Sequence, residues 1–290
     1  MTKSFGKRTV VDGLDLAIPR GGVYGFLGPN GSGKSTTMKM LLGLLHPSAG
    51  QVFLLGEDPW GEARARLMPR IGSMIEHPPG YGHLTGAENM RLLARLLNLE
   101  TTRIDRALEL VRLTDHRDRL QRTYSLGMKQ RLGIAMALAR EPELLILDEP
   151  TNGLDPAGIE EIRELMIHLA SGGVTVMISS HLLDEIDRMA DILGVLSQGR
   201  LVFQGSRKEL FERSIPDLLV VTPQANAAAN LVRGCRLERN GIRVQGCGQE
   251  DAARLIVRLV QEGIPIHEVR RLQQSLEEVF MDLTGGTEAL

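Results

Sequence analysis

Apolar positions along this chain switch between two periods, and the switches mark its elements. Residues 1–22 carry short alternating segments, with Val10, Leu14, Leu16 and Ile18 apolar, which predicts edge strands or a hairpin. Residues 23–27 form a short apolar strand that runs straight into a glycine-rich turn. Beyond it Met38, Leu41, Leu42 and Leu45 recur at helical spacing, so a helix is expected through Leu45, ended by a turn at 46–50. Thr85 and Glu88 form a capping box that opens a helix with Met90, Leu93, Leu96 and Leu97 as its apolar stripe. Residues 103–111 and 125–140 also read as helical, so about 78–140 is a helix-rich insertion.

The α/β texture resumes at 144–147, an apolar strand ending in Asp148. Pro156 suits the first turn of a helix running to Ala170. A strand at 174–178, a helix at 181–189 and strands at 192–196 and 201–203, joined by a turn at 198–200, complete the pattern. The sum is a mostly parallel sheet with helices on both faces. After Ser206 the texture changes. Ser206 and Glu209 form a second capping box; strands are expected at 218–221, 241–245 and 264–269, with helices at 225–232 and 251–262. Two domains are therefore expected, 1–205 and a small two-layer α/β appendage at 206–290. Its tail, 275–285, reads as a capping helix carrying Leu276, Val279 and Phe280.

Composition narrows the function. A formal net charge of −2 provides no basic field for nucleic acid, so no nucleic-acid partner is expected. Cys235 and Cys247 are too few for a disulfide framework and lack ligand spacing; they are expected to be reduced and structural. No apolar run approaches the roughly 20 residues that cross a bilayer. MTKSFGKR at the N-terminus has no hydrophobic stretch behind it, so it is not read as a secretory signal. The expectation is a cytosolic chain that reaches a membrane only through a partner.

Two motifs carry chemistry. Gly28, Pro29, Asn30, Gly31, Ser32, Gly33, Lys34 and Ser35 fit the phosphate-binding loop G-x-x-x-x-G-K-[ST], between a predicted strand and a predicted helix. Glycines let the backbone curl around an anion, and successive amides and the helix N-terminus supply donors and positive dipole. Lys34 is expected to reach the β- and γ-phosphates of ATP, and the Ser35 hydroxyl to ligate Mg²⁺. Thr36, in the same turn, is available for a further phosphate contact. The second motif is the apolar strand ending in Asp148 and Glu149, which strand alternation points in different directions. Asp148 is the natural Mg²⁺ partner, directly or through water. Glu149 can face the γ-phosphate and orient or deprotonate the attacking water.

In chain order the phosphate loop, YSLGMKQR at 124–131, LLILDEP at 144–150, TNGLD at 151–155 and SSH at 179–181 resemble the ATPases of ABC transporters, over about residues 3–205. The resemblance implies a P-loop NTPase fold of ABC type, with an antiparallel N-terminal subsheet and a helical insertion. It implies an ATPase that pairs head to tail with a second ATP-binding subunit, as a homodimer or heterodimer. It also implies separate transmembrane permease subunits that hold the chain at the cytoplasmic face of the cell membrane.

Residue by residue, the resemblance implies that Ser125 and Gly127 contact the γ-phosphate held by the opposite subunit, although Leu126 and Met128 stand where glycine and glutamine are commonest. Residues 152–155, ending in Asp155, couple the two sites, and His181 is the switch histidine at the γ-phosphate. Phe5 stands where an aromatic often stacks on adenine; a core or surface position is the other reading. Glu76 stands where the family usually has glutamine, unless it is a turn residue one place off that position. A carboxylate there can still coordinate Mg²⁺ or water, but adds negative charge near the phosphates. The loop 76–82 then reports nucleotide state to the permease. This substitution resembles the branch of bacitracin exporters and lantibiotic self-protection transporters, and SLEEVFMDLTG resembles the tail of drug-export ATPases. Export of an antibiotic or antimicrobial peptide is therefore the leading expectation, with polysaccharide, lipid or ion export as the alternative. A translation or DNA-repair ATPase is disfavoured: the chain carries no second ATP-binding domain and no coiled-coil or zinc insertion. The family normally has a further strand before its LTKSFG-like segment, so the first strand of the subsheet is expected to be missing.

Overall fold

The computed structural model describes residues 1–181 and 183–284, in two compact units that divide after Ser206. In the first unit β1 (Lys3–Phe5) and β2 (Arg8–Val11) form a hairpin, and β3 (Val23–Leu27) leads to α1 (Lys34–Leu41). A short α2 (Arg64–Leu67) precedes β4 (Ile71–Met74), after which α3 (Gly86–Leu97), α4 (Thr101–Leu110) and α5 (Leu126–Leu138) make up the helical insertion. Then come β5 (Leu144–Asp148), α6 (Pro156–Ser171), β6 (Thr175–Ser180), α7 (Leu183–Asp187), β7 (Ile192–Ser197) and β8 (Arg200–Ser206).

The main sheet runs β4-β5-β6-β3-β7-β8, parallel throughout except for the β7–β8 pair. Every residue of β3, β5 and β6 is buried, as a parallel sheet covered on both faces requires. Tyr24, Phe26, Ile146 and Met177 from these strands meet Met38, Met40 and Leu41 of α1 in one apolar core. The register sets Leu27 beside Ser180 and Asp148 beside Ser179, so the three central strands end level. The insertion is seated on this sheet by close backbone contact: a Cβ at Gly72 of β4 would lie 2.3 Å from the carbonyl oxygen of Ala137 in α5.

Several expected elements differ in detail. The alternating residues Leu14, Leu16 and Ile18 do pack on the core, but outside any named strand. Helix α1 stops at Leu41, because Gly43 turns the chain with φ +65° and leaves Leu44 exposed. The Thr85–Glu88 capping box forms as expected, with the Glu88 amide donating to Thr85 Oγ1 at 3.1 Å and the Thr85 amide to Glu88 Oε2 at 2.7 Å. The buried stripe of α3 is Ala87, Met90 and Ala94, whereas Leu96 is exposed. Six residues beyond Met90 leaves Leu96 rotated by about 120° from it around the helix. The helix expected at 181–189 appears as α7; Leu182 lies outside the described residues.

The second unit begins with α8 (Arg207–Arg213) and continues as β9 (Asp217–Val221), α9 (Ala225–Leu231), β10 (Arg236–Glu238), β11 (Gly241–Val244), α10 (Gln249–Gln261), β12 (Glu268–Leu272) and α11 (Leu276–Thr284). Residue 285 of the expected tail helix lies outside the described residues. The β9–β12 stretch is a βαββαβ unit with antiparallel order β10-β11-β9-β12, the ferredoxin-like split arrangement. Leu218, Val220 and Ile242 pack against Ala228, Ala252 and Leu259 in its core. The last strand starts four residues later than the expected 264, and Ile264 is buried in the loop before it.

A fully buried carboxylate, Asp217, organises the opposite side of this unit. It accepts from Arg243 Nε at 2.6 Å and from the Gly246 amide at 2.9 Å, and Arg243 Nη2 reaches Glu278 of α11 at 2.6 Å. Removing one partner of a buried ion pair strands the other charge. Asp217→Ala is therefore expected to destabilise the second unit by about 3 kcal/mol, measured by urea denaturation, with faster amide exchange in β9 and β11 identifying the unit that opens.

Candidate active site

The phosphate loop joins β3 to α1 and is shaped by Gly33. That residue has φ +108°, and a Cβ there would lie 2.9 Å from the Val10 carbonyl oxygen, so a larger residue is excluded on both counts. The loop is braced by the Ser32 amide donating to Pro29 O at 3.1 Å and the Gly199 amide donating to Ser32 O at 2.9 Å. Lys34 is 6% exposed and folds back into the loop. Its Nζ donates to Gly28 O at 2.6 Å and Pro29 O at 3.4 Å, and lies 3.7 Å from Glu149 Oε1. Burial pushes its pKa below the usual lysine value, against the opposing charges of Glu149 and Asp148. Ser32 Oγ is buried in the same loop without a hydrogen-bond partner. A curled loop with an ammonium and an orphaned hydroxyl suits an anion rich in oxygen acceptors. Ser35 and Thr36 follow in the first turn of α1, both partly buried.

Asp148 and Glu149 do not diverge as alternation predicts. Glu149 leaves the extended region, with φ +47°, so both carboxylates line one cavity. Ser179, beside Asp148 in β6, holds this turn: its hydroxyl donates to Asp148 Oδ1 at 2.6 Å and accepts from the Glu149 amide at 3.0 Å. Glu149 Oε2 lies 2.9 Å from His181 Nδ1 and accepts from Asn152 Nδ2 at 3.4 Å. The cavity measures about 530 Å³, and its wall includes Ser35, Glu76, Gln130, Asp148, Glu149 and Asn152. Among the described residues no three His, Cys, Asp or Glu side chains converge as a metal cluster. One carboxylate and one hydroxyl, Asp148 and Ser35, do fit Mg²⁺, which keeps waters and substrate phosphates among its ligands.

The remaining expected residues are placed as follows. Glu76, with φ +67°, lies on the cavity wall and is ion-paired with Lys39 of α1, whose hydrogen bond and charge hold its carboxyl below the usual range. Phe5 is 51% exposed, with the Lys3 ammonium 5.2 Å from its ring centre, so it is a surface aromatic and not a core one. Ser125 caps α5, its Oγ accepting from the Met128 amide at 3.2 Å, and Gly127 lies in the first turn. Leu126 of that turn reaches the cavity wall; Ser125 and Gly127 do not. Asp155 caps α6 through the Gly158 amide at 3.1 Å. Sequence reasoning missed Lys39, Gln130 and Ser179. A serine closing a buried strand beside the acidic strand end was the available signal for Ser179.

A buried lysine-bearing phosphate loop facing a pair of carboxylates, at the carboxyl ends of a parallel sheet, defines a P-loop nucleotide hydrolase. The family model described as ABC transporter matches residues 11–152. The chain is 40% identical to the bacitracin transport ATP-binding protein BcrA of Bacillus licheniformis, over 99% of this chain and 96% of that protein. It is 43% identical to the lantibiotic transport ATP-binding protein SrtF of Streptococcus pyogenes, over 74% of this chain and 95% of that one. Among solved structures, cbiO1 from Clostridium perfringens, part of the ABC transporter complex cbiONQ, superposes with a TM-score of 0.67 at 30% identity, covering 73% of this chain and 88% of that chain. This chain belongs to the ATP-binding proteins of ABC transporters, and it is an ATP-hydrolysing subunit. Among the described residues no helix is long and apolar enough to cross a membrane.

The Ser179 hydroxyl satisfies two buried groups at once, so its loss leaves both unpaired. Ser179→Ala is expected to cost about 2 kcal/mol of stability, read by thermal denaturation, and to lower ATP turnover along with it.

Proposed function

We propose that this chain binds Mg-ATP in the loop Gly28–Thr36 and hydrolyses it with Glu149 as general base. The observation that carries this reading is the meeting of Lys34, Asp148, Glu149 and His181 at the level ends of β3, β5 and β6. Lys34 exchanges the carbonyls of its own loop for the β- and γ-phosphates, and the loop amides and Ser32 Oγ take further oxygens. Ser35 and Asp148 hold the metal, with Glu76 as a further oxygen ligand whose charge Lys39 offsets. Mg²⁺, when bound there, would supply positive charge against the phosphate oxygens. Glu149 accepts the proton of the attacking water as its oxygen bonds to the γ-phosphorus. His181 is held on Glu149 through Nδ1, so Nε2 is the nitrogen left to donate to the γ-phosphate.

The same reading makes the active unit a dimer. Ser125 and Gly127, which stand off this chain's own cavity wall, complete the site of a second subunit, and residues 152–155 lie along the contact. Phe5, exposed at the end of β1, stacks on adenine. Residues 1–205 form the ATP-binding domain and 206–290 an accessory domain. The dimer sits on separate permease subunits at the cytoplasmic face of the membrane, with the loop 76–82 between cavity and permease. The cargo is an antibiotic or antimicrobial peptide; the names of the BcrA and SrtF relatives and Glu76 itself support this.

Glu149→Gln is expected to keep Mg-ATP affinity within about three-fold and to lower kcat by about 100-fold or more, whereas Lys34→Ala weakens binding itself; steady-state ATPase assays and calorimetry separate the two. Wild-type turnover by Glu149→Gln ends the assignment of the base. With ATP trapped unhydrolysed, the Glu149→Gln protein is expected to elute as a dimer by light scattering and to return to monomer in ADP.

A further inference from the structure

Glu185 is a buried carboxylate for which the reading above has no use. It lies on α7 and is 9% exposed. One oxygen, Oε2, accepts from Thr151 Oγ1 at 2.5 Å and from Ser180 Oγ at 3.4 Å; the other, Oε1, is buried without a hydrogen-bond partner. Thr151 and Ser180 are themselves buried. Taking a carboxylate out of water is costly, and an apolar side chain of similar volume avoids that cost. Fold stability alone is therefore a poor reason for an acid at this position.

The two donors indicate what it serves. Thr151 lies two residues beyond Glu149 and immediately before Asn152, whose amide donates to Glu149 Oε2. Ser180 is the last residue of β6 and immediately precedes His181, whose Nδ1 meets the same Glu149 oxygen. Oε2 of Glu185 thus joins the two segments that converge on the Glu149 carboxylate from different parts of the chain. Neither segment has the regularity of a helix or strand interior where it touches Glu149; the Asn152 backbone amide donates to Glu149 O at 3.2 Å within its own turn, and the Glu185 bonds are side-chain ties between the two segments.

We propose that Glu185 is a positioning residue for ATP hydrolysis: it clamps the segment after Glu149 to the strand end before His181, and so fixes how the Glu149 carboxylate is presented. The proposal rests on the reading of Glu149 as the base. A reacting group moved by about 1 Å loses up to about 100-fold in rate without loss of substrate binding. Loss of the clamp therefore acts on kcat and leaves KM for ATP in place.

Full-length Glu185→Ala, Glu185→Gln and Thr151→Val proteins are compared with wild type and Glu149→Gln. The readouts are steady-state ATPase rates below the unfolding temperature of each protein, and NMR of ¹³C-labelled histidine, with the His181 signal identified by its loss in His181→Ala. Glutamine keeps an acceptor oxygen for both hydroxyls; alanine keeps none. The expected result is a fall in kcat of about 10-fold in Glu185→Ala with KM within about two-fold, and recovery in Glu185→Gln to within about three-fold of wild type. The His181 signal shifts in Glu185→Ala and returns in Glu185→Gln. Thr151→Val, which keeps the shape and removes one donor, loses about three-fold in kcat and carries the test if Glu185→Ala does not fold. Wild-type kcat in the foldable variants, an equal loss in alanine and glutamine variants, or an unmoved His181 signal overturns the clamp. Turnover by Glu149→Gln overturns instead the reading of the base beneath it.

Discussion

A buried ammonium facing a partly buried carboxylate, Lys34 against Glu149, is the interaction on which the site depends. Lys34 has almost no contact with water, and a charge in that position must find partners in the protein. It finds them in two carbonyls of its own loop and in Glu149. The carbonyls, of Gly28 and Pro29, belong to the loop after β3, and the carboxylate to the segment after β5. The pairing is possible only because β6 sits between β5 and β3 with all three ending at one level. The ladder register of the central strands, Leu27 beside Ser180 and Asp148 beside Ser179, sets that level.

The charges explain why a metal belongs with the substrate. Glu76, Asp148 and Glu149 all line the cavity, with Lys34 against Glu149 and Lys39 against Glu76. A triphosphate entering such a wall brings like charge toward three carboxylates. Lys34 and the loop amides would meet part of that charge, and a divalent cation held at Asp148 would supply more positive charge. Glu76 sharpens this requirement. Its neutral counterpart, glutamine, would accept without repelling, whereas the carboxylate needs Lys39 close by. The ion pair with Lys39 thus offsets the Glu76 charge locally.

Much of this was legible in the sequence, for physical reasons that differ by element. The phosphate loop, the apolar strand before it and the acidic strand end were readable because each couples a backbone requirement to a chemical one in consecutive residues. The capping box at Thr85 was equally local. What depended on distant partners was not readable. Leu14, Leu16 and Ile18 alternate like a strand, yet their burial comes from packing on the core and not from a ladder. Leu96 is apolar and helical but faces outward, since Ala87 and Ala94 carry the contact that larger residues suggested for it. Strand β10 is three exposed residues and leaves no hydrophobic signal. The ties of Ser179 and Lys39 join residues more than 30 positions apart, and only the sheet order and the loop path bring them together.

The turn at Glu149 shows how far tertiary contacts can override the local rule. Two successive strand residues point to opposite faces, and on that rule Asp148 and Glu149 could not serve one cavity. A left-handed backbone at a non-glycine residue costs on the order of 1–3 kcal/mol, and it persists only where the surroundings impose it. Here the imposition is visible: the Glu149 amide is held by Ser179, which also holds Asp148, while the Glu149 side chain is held by His181 and Asn152. The strain thus converts alternation into convergence. Asp148 stays with the strand, where rigidity suits the metal-holding role proposed for it, and Glu149 turns out of it toward the lysine. A residue with a free choice of backbone, such as glycine, would relieve the strain but would supply no carboxylate. The acid is therefore kept at a position where its backbone is unfavourable, because that position is the one from which a second carboxylate can reach Lys34.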